Sequence, residues 1–177
     1  HQPRRQRQMC IRDSLRSGAI AQFSPIMKSV IEHAKNGGFV MGICNGFQIL
    51  CETNLLPGTL LRNNNQKFIC RNLYIKSSNS CLLTKEISSK KTLLIPIAHA
   101  EGRYYAEPKT LKSLISNKQI MFKYCDLNGD VNMENNPNGS IKNIAGICNS
   151  SKNVFGMMPH PESCLLYTSP SPRDSNL

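Results

Sequence analysis

Tryptophan is absent from the 177 residues, and acidic side chains are scarce, 11 against 22 lysines and arginines. No apolar run approaches the ~18 residues a membrane-spanning helix needs, so no membrane partner is expected. The eight cysteines (10, 44, 51, 70, 81, 125, 148 and 164) contain no C-x-x-C pair, and no charged-then-apolar leader opens the chain. These absences argue against a disulfide scaffold, and the chain is long enough to build its own core. The expectation is a cytoplasmic protein whose reduced thiols are mostly small buried apolar residues.

The basic excess also lacks what a nucleic-acid footprint requires. Residues 1–14 hold four arginines against Asp13 and carry +3 of the +11 net charge, while residues 163–177 are balanced. The remaining +8 comes from lysines scattered along the body, without interleaved aromatics. That pattern reads as a solvated surface, and no nucleic-acid partner is expected.

Both ends look foreign to the fold. HQPRRQRQMCIRDS has no helical or strand periodicity, and CLLYTSPSPRDSNL is a Ser/Pro-rich coil; both resemble translated adapter sequence at the ends of gene fragments. The organisation expected is therefore 1–14 foreign or disordered, 15–162 the folded domain, and 163–177 a foreign or disordered tail.

Within the body, Ile20, Phe23, Met27, Val30, Ile31 and Ala34 recur at helical spacing, with Pro25 in the first turns and Gly37-Gly38 as the stop. A strand over 39–43 and a helix from Asn45 to about Asn54 follow. Strands are predicted over 68–75, 92–97 and 119–124, with a helix over 108–116 between the last two. Residues 126–140 form a loop, and 143–148 with 154–157 form a β-hairpin across four polar residues. The alternation predicts an α/β sandwich around a mixed sheet.

The most informative stretch is GICNGFQIL at 42–50. Strand, sharp Gly42-x-Cys44-x-Gly46 turn and helix make a nucleophile elbow. Side chains at the flanking glycines are expected to collide with neighbouring backbone, and the helix start favours a thiolate. A cysteine nucleophile needs a base and a residue that orients the base. Of four histidines, His1 lies in the N-terminal segment and His33 faces outward from the first helix, leaving His99 and His160. In Met158-Pro159-His160-Pro161-Glu162 the prolines are expected to hold the chain extended and to block a helix. Residues i and i+2 then project together, so Glu162 reaches the His160 imidazole. Cys44, His160 and Glu162 make a candidate triad.

On these residues the body resembles the triad-type, class I glutamine amidotransferases. More narrowly, it is similar to the glutaminase subunits of phosphoribosylformylglycinamidine synthases. The resemblance rests on LRSGAIA (15–21), MGICNGFQILCETNLLPG (41–58), PIAHAEGRYY (96–105), PNGS (137–140), NIAG (143–146) and NVFGMMPHPE (153–162). It implies a flavodoxin-like three-layer sandwich with a central mixed, largely parallel sheet.

The resemblance also implies roles. Cys44 attacks the side-chain amide of L-glutamine, His160 moves protons and Glu162 orients it. The Asn45 backbone N–H donates to the oxyanion, and Gln48 holds the substrate. His99, Glu101, Gly102, Arg103 and Tyr104 line the pocket, although His99 serves equally well as a structural hydrogen bonder. No metal or cofactor is implied in this chain. ATP and magnesium belong to a large synthase subunit that receives the ammonia in purine biosynthesis, and a small bridging subunit completes the complex.

Ala100 stands where the family usually has glycine. The family's first strand and Gly-rich oxyanion loop are expected before Leu15, and 14 residues are too few to supply them. The family's helical region after Pro-His-Pro-Glu is likewise expected to be missing. The competing readings are the glutaminase domain of another amidotransferase, an inactive truncated domain that only binds a partner, and a cysteine peptidase or redox-sensing thiol protein.

Overall fold

The computed structural model describes residues 24–88 and 91–166. The N-terminal segment 1–14, the 15–21 block, the helix positions Ile20 and Phe23, and the tail from 167 lie outside the described residues.

The first described helix, α1 (Pro25–Lys35), starts on its proline, whose missing N–H is one that a helix start leaves unpaired anyway. It ends at Asn36 and Gly37, the latter at φ 83°. The short strand β1 (Val40–Ile43) then leads through Cys44 into α2 (Asn45–Glu52), which buries Phe47, Gln48, Leu50 and Cys51.

Further along the chain come β2 (Thr59–Leu61), β3 (Ile69–Ser77), β4 (Thr92–His99), β5 (Arg103–Tyr105), α3 (Pro108–Ser116) and β6 (Ile120–Cys125). A 3-10 turn (Ile141–Asn143), β7 (Ile144–Cys148), β8 (Val154–Met157) and α4 (Pro161–Leu166) complete the described elements.

Six strands form one sheet in the order β1-β8-β7-β6-β3-β4, and β2 pairs with β5 in a separate ribbon. The α/β class and the mixed sheet stand as expected. The largely parallel pairing does not hold for the described residues: β1–β8 is parallel, and the other four pairings are antiparallel. The reason lies in the connections. Parallel neighbours need a crossover, usually helical, whereas β7 and β8 are joined by a tight turn and β3 and β4 by a segment without a described helix. Asn149 closes the β7–β8 turn, its Oδ1 accepting from the N–H groups of Asn153 and Val154 at 3.1 Å each. Asn153 then caps α1 from outside, donating to Ala34 O and Gly38 O at 2.8 Å.

The core falls into two clusters on opposite faces of the sheet, as β8 shows by sending Val154 to one and Phe155 and Met157 to the other. Helical residues Ala34, Phe47, Leu50 and Leu114 cover the first face. The second is covered by Cys81, Leu83 and Ile87 of a turn-rich segment, so within the described residues that third layer is not helical.

The expected helices and strands are present to within a few residues at their ends. The start of the tail, expected to be foreign or disordered from residue 163, is corrected: Ser163 to Leu166 belong to α4. The β2–β5 ribbon was not anticipated, because three-residue strands are too short to show an alternation.

Candidate active site

The sequence forces an unusual backbone at Cys44. Its φ of 52° and ψ of −107° put a residue with a Cβ where few are found, at a cost of about 1–3 kcal/mol. That geometry swings the chain from β1 into α2 and leaves the thiol partly accessible at the helix start, where unpaired N–H groups and the positive dipole end favour an anion.

Gly42 makes the turn possible. A Cβ there would lie 2.6 Å from the Gly46 carbonyl group and 2.6 Å from Leu50 Cδ1. The expectation for Gly46 is corrected, since a Cβ at 46 meets nothing within 4 Å among the described residues. Among the described residues the close approach needs bare backbone at Gly42 and not at Gly46.

Two ends of the sheet meet at this turn. The Cys44 N–H donates to Met157 O at 2.8 Å, and its Sγ lies 3.9 Å from Ala98 O on β4. His160, just past β8, donates its backbone N–H to Pro96 O at 2.9 Å. Carbonyls two residues apart on a strand point the same way, so β4, the far edge of the sheet, presents one to the Cys44 sulfur and one to the His160 backbone. The sheet is curled enough to bring β4 beside the ends of β1 and β8.

His160 Nδ1 lies 2.7 Å from Glu162 Oε1, so the contact expected between these two side chains is made. The route differs from the expected one. Pro161 starts α4 instead of blocking a helix, because a proline at the first helical position loses no hydrogen bond. Glu162, in the first turn, reaches back to the residue that precedes the helix. His160 Nε2 is buried and has no hydrogen bond among the described residues, and its side chain is 23 % exposed.

His99 is 4 % exposed, and its neighbour Asn63 is fully buried. Asn63 Nδ2 donates to Lys67 O at 2.8 Å and to His99 O at 3.0 Å, which leaves Oδ1 as the acceptor. The His99 Nδ1–H therefore donates to Asn63 Oδ1 at 3.2 Å, and Nε2 carries the lone pair. Burial first, and the nearby charge of His160 second, push His99 down to about 4, so the ring is neutral at physiological pH.

The 101–103 turn follows directly. Gly102 N–H donates to Asn63 Oδ1 at 3.1 Å, and Gly102 O accepts from Asn138 Nδ2 at 2.7 Å. The His99 ring packs so closely on Gly102 that an added Cβ would lie 2.2 Å from it. Glu101 extends back to α2, where its Oε2 accepts from Gln48 Nε2 at 3.4 Å. Arg103 donates to Asn64 Oδ1, while its Nε is buried without a hydrogen bond among the described residues. Tyr104 points into the core: its ring stacks on Phe47 at 5.8 Å and its hydroxyl donates to Pro57 O at 2.7 Å. Ser140 Oγ accepts from Tyr104 N–H at 3.0 Å.

Asn63, Asn64, Asn138 and Ser140 are site-building residues that sequence reasoning gave no role. Asn138 and Ser140 lie in the recognised PNGS stretch, which was the available signal; Asn63 had none. The other cysteines contrast with Cys44. Burial pushes the Cys51 thiol up to about 12, and Cys125 and Cys148 up to about 11, which makes them poor nucleophiles at neutral pH. Cys70, by contrast, is exposed. Among the described residues no group of three or more His, Cys, Asp or Glu is placed to hold a metal, and no helix is long and apolar enough to cross a membrane.

Residues 12–176 match the CobB/CobQ-like glutamine amidotransferase domain family. The chain is 52 % identical over 151 residues to the phosphoribosylformylglycinamidine synthase subunit PurQ of Acaryochloris marina, covering 85 % of this chain and 64 % of that one. It is 53 % identical to the same subunit of Synechocystis sp., covering 85 % and 67 %. The chain thus spans about two thirds of the length of these curated relatives. Among solved structures, the PurLQS complex of Thermotoga maritima contains a chain that superposes with a TM-score of 0.71 at 38 % identity, covering 85 % of this chain and 63 % of that one. The chain belongs to the CobB/CobQ-like glutamine amidotransferase family, in the branch of the PurQ subunits of phosphoribosylformylglycinamidine synthase.

Proposed function

We propose that the protein to which this chain belongs is a glutaminase that supplies ammonia for formylglycinamidine ribonucleotide synthesis in the cytoplasm. The observation that carries this reading is the convergence on β4 of a thiol at a strained helix start and a His160–Glu162 pair. His160 takes the thiol proton as Cys44 Sγ bonds to the amide carbon of glutamine. The carbonyl electrons move onto oxygen, and the Asn45 N–H at the start of α2 faces that oxyanion. Collapse expels ammonia, with the proton returned by His160, and leaves a γ-glutamyl thioester. Water, deprotonated by His160, attacks the thioester and releases glutamate and the thiol. Glu162 fixes the proton-bearing nitrogen of His160 throughout.

Gln48, His99, Glu101, Gly102, Arg103 and Tyr104 build the substrate pocket, some by contact and some by support. Glutamine hydrolysis by this route uses no cofactor in this chain; ATP and magnesium serve the large synthase subunit that consumes the ammonia. A small bridging subunit is the third component, in line with the composition of the Thermotoga maritima complex.

The test is glutamate release by the full-length protein assembled with its synthase partners, comparing Cys44 with Cys44→Ser. A fall of roughly 10³-fold or more is expected for loss of a nucleophile. Equal rates would overturn the assignment.

A further inference from the structure

Two lysines face each other across the sheet. Lys76 on β3 and Lys123 on β6 are register partners. Their neighbours Ile75 and Tyr124 are also register partners and fill the second core cluster, so the two lysines lie on the opposite face. Like charges set directly opposite on paired strands destabilise a sheet. A third lysine, Lys142, joins them from the 3-10 turn before β7, where its φ of 53° is one that few residues with a Cβ adopt. Burial first, then the charges of Lys142 and Lys76, hold Lys123 below the ordinary lysine value, and both of those charges are positive. Lys76 Nζ donates to Gly129 O at 2.5 Å. Asp126 and Asp130 flank that glycine, with Asp126 Oδ1 accepting the Asp130 N–H at 2.8 Å, yet neither carboxylate pairs with a lysine. Among the described residues the ammonium groups of Lys123 and Lys142 have no ion pair and no hydrogen bond.

We propose that Lys76, Lys123 and Lys142 form a phosphate-binding site, separate from the Cys44 centre, that takes the phosphoryl group of a small molecule. A phosphoryl group carries about −1.5 to −2 charge and three strong acceptor oxygens. Three ammonium groups, each a compact point charge with several donors, match it. Lys76 keeps donors beyond the one that Gly129 O occupies. Two strands and a turn gather these charges around one partly buried lysine, a shape that suits a compact anion better than an extended acidic chain. A bound phosphoryl group offsets the repulsion that the sheet otherwise carries between Lys76 and Lys123. The site stands independently of the glutaminase reading.

The experiment titrates the full-length protein calorimetrically with inorganic phosphate and with ribose 5-phosphate, at constant ionic strength in chloride. Binding with a Kd below about 1 mM is expected for at least one of them. Lys123→Gln is expected to weaken it at least about tenfold and Lys142→Gln about three- to tenfold. Lys28→Gln, which removes one positive charge from α1, is expected to change it less than about twofold. Tighter binding of the ester assigns the site to a phosphorylated metabolite and equal affinities assign it to free phosphate; both uphold it. Thermal unfolding separates binding from a structural role. Without phosphate, Lys123→Gln is expected to raise the midpoint by about 2 °C, because a like-charge pair is relieved. At about 100 times Kd, phosphate is expected to raise the wild-type midpoint by about 5 °C and that of Lys123→Gln by less than about 1 °C. No binding of either probe at about 10 mM, or equal weakening by Lys28→Gln and Lys123→Gln, overturns the site. A lowered midpoint for Lys123→Gln without phosphate makes the lysines structural and overturns it too. Failure of Lys123→Gln to assemble with the synthase subunits, in a protein that binds neither probe, makes the patch a protein interface instead.

Discussion

On one side of Cys44, β1 and α2 set the sulfur by apolar packing and a single strained backbone angle; on the other, the 99–104 turn is held by the amides of Asn63 and Asn138. The first wall tolerates little change of shape, because Gly42 lies against the Gly46 backbone with no room for a methyl group. The second tolerates little change of chemistry, because one buried asparagine serves four partners: His99 Nδ1, His99 O, Lys67 O and Gly102 N–H. The strained turn at Cys44 is thus made rigid by contact, and the 99–104 turn by hydrogen bonding.

Substitutions can separate these two modes of support. Gly42→Ala carries the largest expected effect: destabilisation of about 3 kcal/mol from overpacking, with loss of glutamate release because Cys44 must move. Urea denaturation together with turnover measures both, and a stable, active Gly42→Ala protein would break the account of the first wall. Asn63→Ala strands several buried polar groups and is expected to cost about 2–3 kcal/mol, with KM raised more than kcat is lowered. Its urea midpoint and glutamine kinetics test the second wall.

The pH dependence of stability comes next. His99 is depressed from 6.5 to about 4, so below pH 6.5 the unfolded chain binds a proton that the native state refuses. Native stability is therefore complete above pH 6.5 and is lost as the pH falls toward 4, by about 2 kcal/mol between pH 7 and pH 5. Denaturation at the two pH values should show that difference, and His99→Gln should flatten it. The smallest effect is expected at Gly46→Ala, where helix propensity gives about 0.5–1 kcal/mol of stabilisation and no steric conflict arises among the described residues. A loss of stability there would mean that the elbow is tight on both sides.

The first wall was legible in the sequence because its logic is periodic and local. An apolar run, glycine, cysteine and a helical pattern imply one another over a dozen residues. The Pro-His-Pro-Glu run announced the His160–Glu162 pair, yet the extended backbone inferred for it was wrong, because a proline that ends one element can begin another. The second wall was barely legible. Asn63 lies 36 residues from His99 and Asn138 lies 36 from Gly102, and no propensity scale reports a hydrogen bond across that span. The pairing directions of the sheet were hidden for a related reason. Strands with mixed burial read alike whether they run parallel or antiparallel, and the connections decide.

The place of β8 in the sheet has a consequence for how the Cys44 turn is completed. Though late in sequence, β8 sits between β1 and β7, and its Met157 carbonyl holds the Cys44 amide. A growing chain that has emerged only as far as β7 carries the cysteine but neither the strand whose carbonyl holds its amide nor the His160 imidazole. The turn at Cys44 is therefore complete only once β8 has docked.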